Sequence, residues 1–330
     1  MRRGRRRRHG TGPVVDLSAS VGPLLLPNPV MTAAGTAGHG AELGAYVDLS
    51  TLGAVVVKSL AAFAWAGNPP LRLCPVPGGM LNSVGLQGPG IAAWSRTELP
   101  ALRAAGARVV VSIWGRRVEE FAEAAEAVAD LPGGSAVALE ANVSCPNLED
   151  RSRMFAHSAP ATAEVVSACR GALARCGLPL FVKLSPNTSE LIEVAGAALE
   201  AGADGLTLVN TLLGLAIDLP GRRPALGGVG GGLSGPALHS VALRAVYECR
   251  RAFPEAGIIG VGGVSDGEGA ARLLMAGADA VQVGTATLAD PRAPARVLAD
   301  LERCLAALGA RSVAEIVGAA CRPAPVTSDE

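Results

Sequence analysis

The sequence predicts an α/β fold, a single-domain (β/α)8 TIM barrel with long loops at the C-terminal face of its strands, on three observations. Apolar, β-branched runs recur at 29–33, 53–57, 108–113, 136–140, 179–184, 205–209, 257–261 and 280–283. They are apolar at nearly every position, as strands buried on both faces of a parallel sheet are, whereas a half-solvated strand would alternate. Between them lie alanine-rich stretches of helical period at 117–130, 161–175, 190–201, 237–252, 266–276 and 292–307. Strands alternating with helices in this way imply parallel pairing through helical crossovers. Secondly, the segments that follow strands are long at 59–90, 142–160 and 211–235, while those that precede strands are short. That asymmetry is what a face carrying functional loops requires. Thirdly, Ala201-Gly202-Ala203-Asp204 and Ala276-Gly277-Ala278-Asp279 repeat one device, a helix stopped by glycine and a strand entered directly afterwards. An open doubly wound sheet is the alternative, but no G-x-G-x-x-G follows the first strand.

The ends read differently from the middle. Residues 1–13 hold six arginines between Arg2 and Arg8 and are expected to form a disordered basic tail. The barrel is expected to span 14–320, with 321–330 trailing as a flexible C-terminal tail. Val14-Val15 is cut short by Asp16, so no secretory h-region follows the arginines, and no apolar run is long enough to cross a membrane. Hydrophobic residues make up 49% of the chain with 42 glycines, which suits a large core joined by tight turns. Aromatic residues are 3% and formal net charge is zero, which speaks against a nucleic-acid or acidic-membrane surface. The cysteines number seven, irregularly spaced and without a C-x-x-C pair. This usage predicts a reducing, cytoplasmic location and no metal or iron–sulfur cluster on this chain.

Of 29 basic residues only two are lysines, Lys58 and Lys183. Each ends an apolar run, at the strand end where barrels carry their chemistry. An ammonium is a compact charge that a guanidinium does not replace. Glycines follow the last two strands, in Gly260-Val261-Gly262-Gly263 and in Gly284 before Thr285. Such glycines let backbone N–H groups close on a phosphate, whether of flavin mononucleotide, a nucleotide or a sugar phosphate. After the fourth strand stands Asn142-Val143-Ser144-Cys145-Pro146-Asn147, which offers an amide and a loop thiol. A thiol so placed can serve as acid or base. Hydrolase chemistry would need a histidine partner, and His39, His157 and His239 stand in no recognisable motif.

Together with Gly79-Met80-Leu81-Asn82-Ser83-Val84-Gly85-Leu86-Gln87, Val182-Lys183-Leu184-Ser185-Pro186, Val209-Asn210-Thr211 and Gly231-Gly232-Leu233-Ser234-Gly235-Pro236, that string resembles dihydroorotate dehydrogenase, most closely the class 1B catalytic subunit. The resemblance runs from about residue 14 to about residue 310. It implies FMN-dependent oxidation of (S)-dihydroorotate to orotate in de novo pyrimidine biosynthesis. Cys145 would take the C5 proton while hydride leaves C6 for flavin N5. Lys58 would lie near both flavin and substrate, and Lys183 by the flavin N1–O2 edge. The flavin contacts so implied are Ala34, Lys58, Ser59, Ser112, Asn142, Lys183, Val209, Gly235, Gly262, Gly263, Gly284 and Thr285. Substrate would be held by Lys58, Asn82, Ser83, Val84, Gly85, Leu86, Asn142, Asn210 and Thr211. Electrons would pass to NAD+ through a separate subunit carrying FAD and a [2Fe–2S] centre, with a homodimer of this chain at the core of a heterotetramer.

Three positions depart from the family pattern. Ala34 stands where a serine is usual, Ser112 where an asparagine is expected, and Leu60-Ala61 where hydroxyl-rich residues are usual. A reductase of free pyrimidines is one rival reading; that family carries His where this chain has Asn147. A flavin-binding barrel without catalysis is the other, and intact Cys145, Lys58 and Lys183 speak against it.

Overall fold

The computed structural model describes residues 15–144 and 154–322. Each of the eight apolar runs contributes a strand: Val30–Thr32, Val55–Val56, Val109–Ile113, Ala138–Asn142, Leu180–Lys183, Gly205–Leu208, Gly257–Val261 and Ala280–Val283. They form one parallel sheet in which every strand pairs with its sequence neighbour, and the last returns to the first with Val281 opposite Val30. The first two strands close the cylinder. Met31 bridges Ala54, and the Gly53 N–H donates to the Val30 carbonyl at 2.8 Å. The fold is a (β/α)8 barrel.

Helices occupy the alanine-rich stretches, at Val118–Ala129, Ala159–Leu173, Leu191–Glu200, His239–Ala252, Gly267–Met275 and Ala293–Ala307. Two crossovers differ. Between the second and third strands run two short helices, Ile91–Thr97 and Leu99–Ala104, and Pro100 lies in the first turn of the latter. Proline is tolerated there because that N–H has no helical acceptor, yet it interrupts the periodic pattern. Between the first and second strands stand only the 3-10 turns Glu42–Ala45 and Leu49–Thr51. No helix among the described residues is long and apolar enough to cross a membrane.

The strands bury side chains on both faces, which makes two cores. The larger lies between sheet and helices. The smaller fills the barrel interior with Met31, Val56, Val110, Ala138, Phe181, Ile259 and Ala280. Its floor is a hairpin, Ala19–Val21 with Leu24–Leu26, whose alternate side chains point inward and seal the N-terminal end. Above this apolar layer the interior turns polar, with Ser112, Glu140, Thr207 and Gln282 fully buried. Two of the long segments at the other end, 59–90 and 211–235, are folded. They build a four-stranded antiparallel sheet, Leu212–Gly214, Gly231–Ser234, Gly79–Asn82 and Leu73–Val76 in spatial order. Its outer hairpin turns through Pro77 and Gly78, the latter at φ +77, a conformation that glycine adopts without cost.

The Ala-Gly-Ala-Asp echo has a structural cause at the N-terminal end. Arg170 and Arg250 each donate through Nε to the carbonyl of the helix-stopping glycine, Gly202 at 2.9 Å and Gly277 at 2.8 Å. Each also pairs with the aspartate that follows, Asp204 or Asp279. Those aspartates in turn accept the N–H of the preceding strand in space, Leu180 or Ile258, both at 2.8 Å. Gly277 cannot be larger: at φ +116, a Cβ there would stand 2.5 Å from the Arg250 side chain.

Candidate active site

At the C-terminal ends of the strands, polar side chains replace the apolar ones and bond to one another. Ser59, just past the second strand, and Ser112, in the third, share a hydrogen bond at 2.9 Å. The Asn142 amide donates to Ser59 Oγ at 3.2 Å, and its carbonyl oxygen accepts from Ser144 Oγ at 2.8 Å and from Asn210 Nδ2 at 3.2 Å. Asn210 Nδ2 also reaches Ser144 Oγ at 2.5 Å, while Asn210 Oδ1 accepts the Thr211 N–H. Four strand ends thus converge on one cluster of amides and hydroxyls. Ser59, Ser112, Asn142, Asn210 and Thr211 were anticipated from the sequence; Ser144, which ties two asparagines together, was not singled out. Ser112, one of the departures from the family pattern, is bonded into this cluster.

The accessory sheet extends the cluster outward. Asn82 donates to the Gly232 carbonyl at 3.2 Å, and Gly232 packs so tightly on Thr211 that a Cβ would lie 2.0 Å from its hydroxyl oxygen. Ser83 Oγ accepts from Asn68, whose own N–H donates to the Val84 carbonyl. Gly85 and Leu86 follow with φ +71 and +61, turning the chain back beneath Asn68. Asn187 braces Thr211, donating to its carbonyl and to Ser185 Oγ, both at 2.9 Å. Neither Asn68 nor Asn187 was singled out in the sequence. Each lies in a Pro-flanked loop where an asparagine reads as ordinary turn chemistry.

Glycine segments meet on the neighbouring side. A Cβ on Gly263, at φ +68, would stand 2.7 Å from the His239 Cβ and 3.0 Å from the Gly235 carbonyl oxygen. Only bare backbone fits there. Thr285 Oγ1 donates to Ser234 Oγ at 2.7 Å, so the eighth strand end adjoins Gly235. His239 Nδ1 donates to the Gly262 carbonyl at 2.9 Å, and the Val209 N–H donates to the Val261 carbonyl of the seventh strand. Gly284 backs onto Ala33, next to Ala34 in the turn after the first strand. Lys58 lies against that same turn, its Nζ 4.0 Å from where a Gly35 Cβ would be. His39 adjoins it, and burial first, with the Lys58 charge second, holds its imidazole below the usual 6.5. Lys183 is almost wholly buried, with Nζ 4.0 Å from Glu140 Oε1. Cys145 lies outside the described residues.

Both lysines, the amide cluster and the glycine segments therefore occupy one end of the barrel. A family profile described as dihydroorotate dehydrogenase matches residues 16–305. The chain belongs to the dihydroorotate dehydrogenase family. It is 45% identical over 304 residues to a Geobacter sulfurreducens protein and 44% identical over the same length to one from Geotalea daltonii. In both cases 92% of this chain and 98% of the relative are covered. A Desulforudis audaxviator protein is 46% identical over 308 residues, 93% of this chain and 98% of its own. All three are named dihydroorotate dehydrogenase B (NAD(+)), catalytic subunit. The resemblance seen in the motifs thus extends over almost the whole chain, and the chain is an oxidoreductase of the dihydroorotate dehydrogenase type.

Proposed function

We propose that this chain oxidises dihydroorotate to orotate with bound FMN and passes the electrons to NAD+ through a partner subunit. The observation that carries the reading is the convergence of an amide–hydroxyl cluster, a glycine cradle and both lysines at one barrel mouth. The donor set suits the flavin. Gly235, Gly262, Gly263, Gly284 and Thr285 offer close-packed backbone and a hydroxyl for a phosphate. Ser59, Ser112, Asn142 and Val209 offer polar contacts for a ring edge, beside Ala34. FMN supplies, when bound, the acceptor for the hydride leaving C6 of the substrate.

The protein's own work is to orient and to move one proton. Asn82, Asn142, Asn210 and Thr211, with the Ser83–Leu86 turn, hold the ring and carboxylate of dihydroorotate. Orientation of this kind accounts for several kcal/mol of a barrier, roughly 7–11 at best. Cys145 takes the C5 proton, a role open to a thiol as general base. Lys58 places positive charge beside substrate and cofactor, and Lys183 does so from within the barrel, where fixed charge acts strongly because water is excluded. Adding dihydroorotate anaerobically to the FMN-loaded protein should bleach the flavin absorbance, and dihydrouracil should not. Equal bleaching by dihydrouracil would favour a reductase of free pyrimidines, and failure to bind stoichiometric FMN would overturn the reading.

The relatives' name, catalytic subunit of an NAD(+) enzyme, supports a separate subunit that takes the electrons onward; to that subunit the proposal assigns FAD and a [2Fe–2S] centre, and to the assembly a cytoplasmic location. A homodimer at the centre of that assembly is supported by an apolar surface on the accessory sheet and its adjoining loops. Leu71, Leu213, Leu215, Ile217, Leu219 and Val229 are all more than half exposed there. Apolar surface gathered in this way marks a contact face. Leu219→Asp should convert a dimer into a monomer on sedimentation; an unchanged dimer places the interface elsewhere.

A further inference from the structure

The barrel interior holds an ionic device that the amide cluster and the glycine cradle do not explain. Glu140 belongs to the fourth strand, two residues before Asn142, and its side chain points into the cylinder. Only 1% of that side chain is exposed, against 6% for Lys183. Its Oε2 accepts the Gln282 amide at 2.9 Å, and because Gln282 lies on the eighth strand, this bond spans the barrel from one wall to the opposite one. Its Oε1 has no hydrogen-bond partner and faces Lys183 Nζ at 4.0 Å. Two further buried polar atoms lack partners, Gln282 Oε1 and Thr207 Oγ1, and Thr207 stands in register beside Lys183 on the sixth strand.

A buried carboxylate is costly, and removing one partner of a buried pair leaves the other charge uncompensated. The arrangement therefore needs a purpose beyond stability. Gln282 grips one carboxylate oxygen, which aims the other at the ammonium. Lys183 is held away from solvent, with only a small part of its side chain exposed. Apolar residues fill the interior directly below, so the pair sits as a lid of charge between that core and the mouth.

We infer that Glu140 is a positioning residue: it is the buried counter-ion that holds the Lys183 ammonium at the barrel mouth and, through Lys183, sets the charge felt by the cofactor. Gln282 holds Glu140 in turn. This rests on the flavin reading for its second half only; the coupling of the two side chains is a property of the protein alone.

The test uses Glu140→Gln, which keeps the shape, together with Lys183→Met and the double variant. On the flavin-free proteins, thermal unfolding should show non-additive losses, the double variant losing less than the two single variants together; additive losses overturn the pairing. On the FMN-loaded proteins, Glu140→Gln should shift the two-electron oxidised/reduced equilibrium about tenfold toward the reduced flavin, about 30 mV. In the Lys183→Met background that shift should fall to less than twofold. An equal shift in both backgrounds would mean that Glu140 does not act through Lys183. A flavin that fails to bind any variant, wild type included, sinks the proposed function, and the unfolding cycle alone then decides the ion pair.

Discussion

The two ends of this barrel are built from the same strands and follow opposite rules. At the N-terminal end, charged groups are paired and saturated. Arg250 donates to the Gly277, Pro254 and Ala256 carbonyls as well as to Asp279, and Asp279 accepts a strand N–H besides. At the C-terminal end and in the polar layer beneath it, most of the unpartnered buried polar atoms among the described residues collect: His39 Nε2, His157 Nε2, His239 Nε2, Thr207 Oγ1, Glu140 Oε1 and Gln282 Oε1, against Ser135 Oγ before the fourth strand. Buried polar groups normally find partners, so a set of exceptions gathered toward one end calls for a ligand or water to complete it. One end holds the cylinder closed. The other is left chemically unfinished.

Mutation should separate the ends by readout. The largest effect belongs to the thiol: Cys145→Ser should slow flavin reduction by dihydroorotate by about 10²–10⁴-fold, the range of a lost general base. Its unfolding temperature should not change. Stopped-flow reduction and a thermal melt decide the matter together, and a large stability loss would move Cys145 from chemistry to packing.

Next in size come the arginine staples. Burial pushes the Asp279 carboxyl up, and the Arg250 guanidinium is the first of the groups opposing it. Arg250→Met should cost about 2–3 kcal/mol in denaturant unfolding because the buried carboxylate loses its counter-charge. The more exposed pair of Arg170 and Asp204 should cost only about 1 kcal/mol when broken by Arg170→Met. Neither should alter the flavin equilibrium. The Arg250→Met deficit should also shrink in acid. With its carboxyl raised, the folded form binds a proton more readily than the unfolded chain, so stability falls as pH rises through the carboxylate range. A deficit that grows in acid would contradict this.

The barrel was legible because burial on both faces leaves an unmixed apolar run, and each such run became a strand. The helices at Ile91–Thr97 and Leu99–Ala104 were hidden because Pro100 broke their period. The antiparallel sheet was hidden for a different reason. Its strands carry Pro75, Gly79, Gly214, Gly231 and Gly232, residues that read as loop, and its pairing joins segments 150 residues apart, as Asn82 and Gly232 show. At the site, residues standing at strand ends could be named in advance. Ser144, Asn68 and Asn187 could not, since their value lies in bonds across the fold. Glu140 and Gln282 had no signal of their own, because a polar residue inside an apolar run takes its meaning from what stands opposite.

The smallest predicted effect tests the contrast by its sign. His39 is half-buried at the C-terminal end, with Nε2 unpartnered, and burial together with the Lys58 charge holds its pKa below 6.5, against a smaller opposing pull from Glu42. The unfolded chain takes up a proton at this histidine as pH falls through 6.5, while the folded chain resists until lower pH, so the folded state loses stability over that window. Wild type should therefore lose more stability than His39→Gln between about pH 7.5 and about pH 5, measured by chemical denaturation at each pH. Lys58→Met should lessen the loss by removing the second push. The two ends would then answer acid in opposite directions, the Asp279 end gaining and the His39 end losing. If His39→Gln and wild type run parallel across the window, the imidazole is solvated after all and the C-terminal end is less sealed than its unpaired atoms indicate.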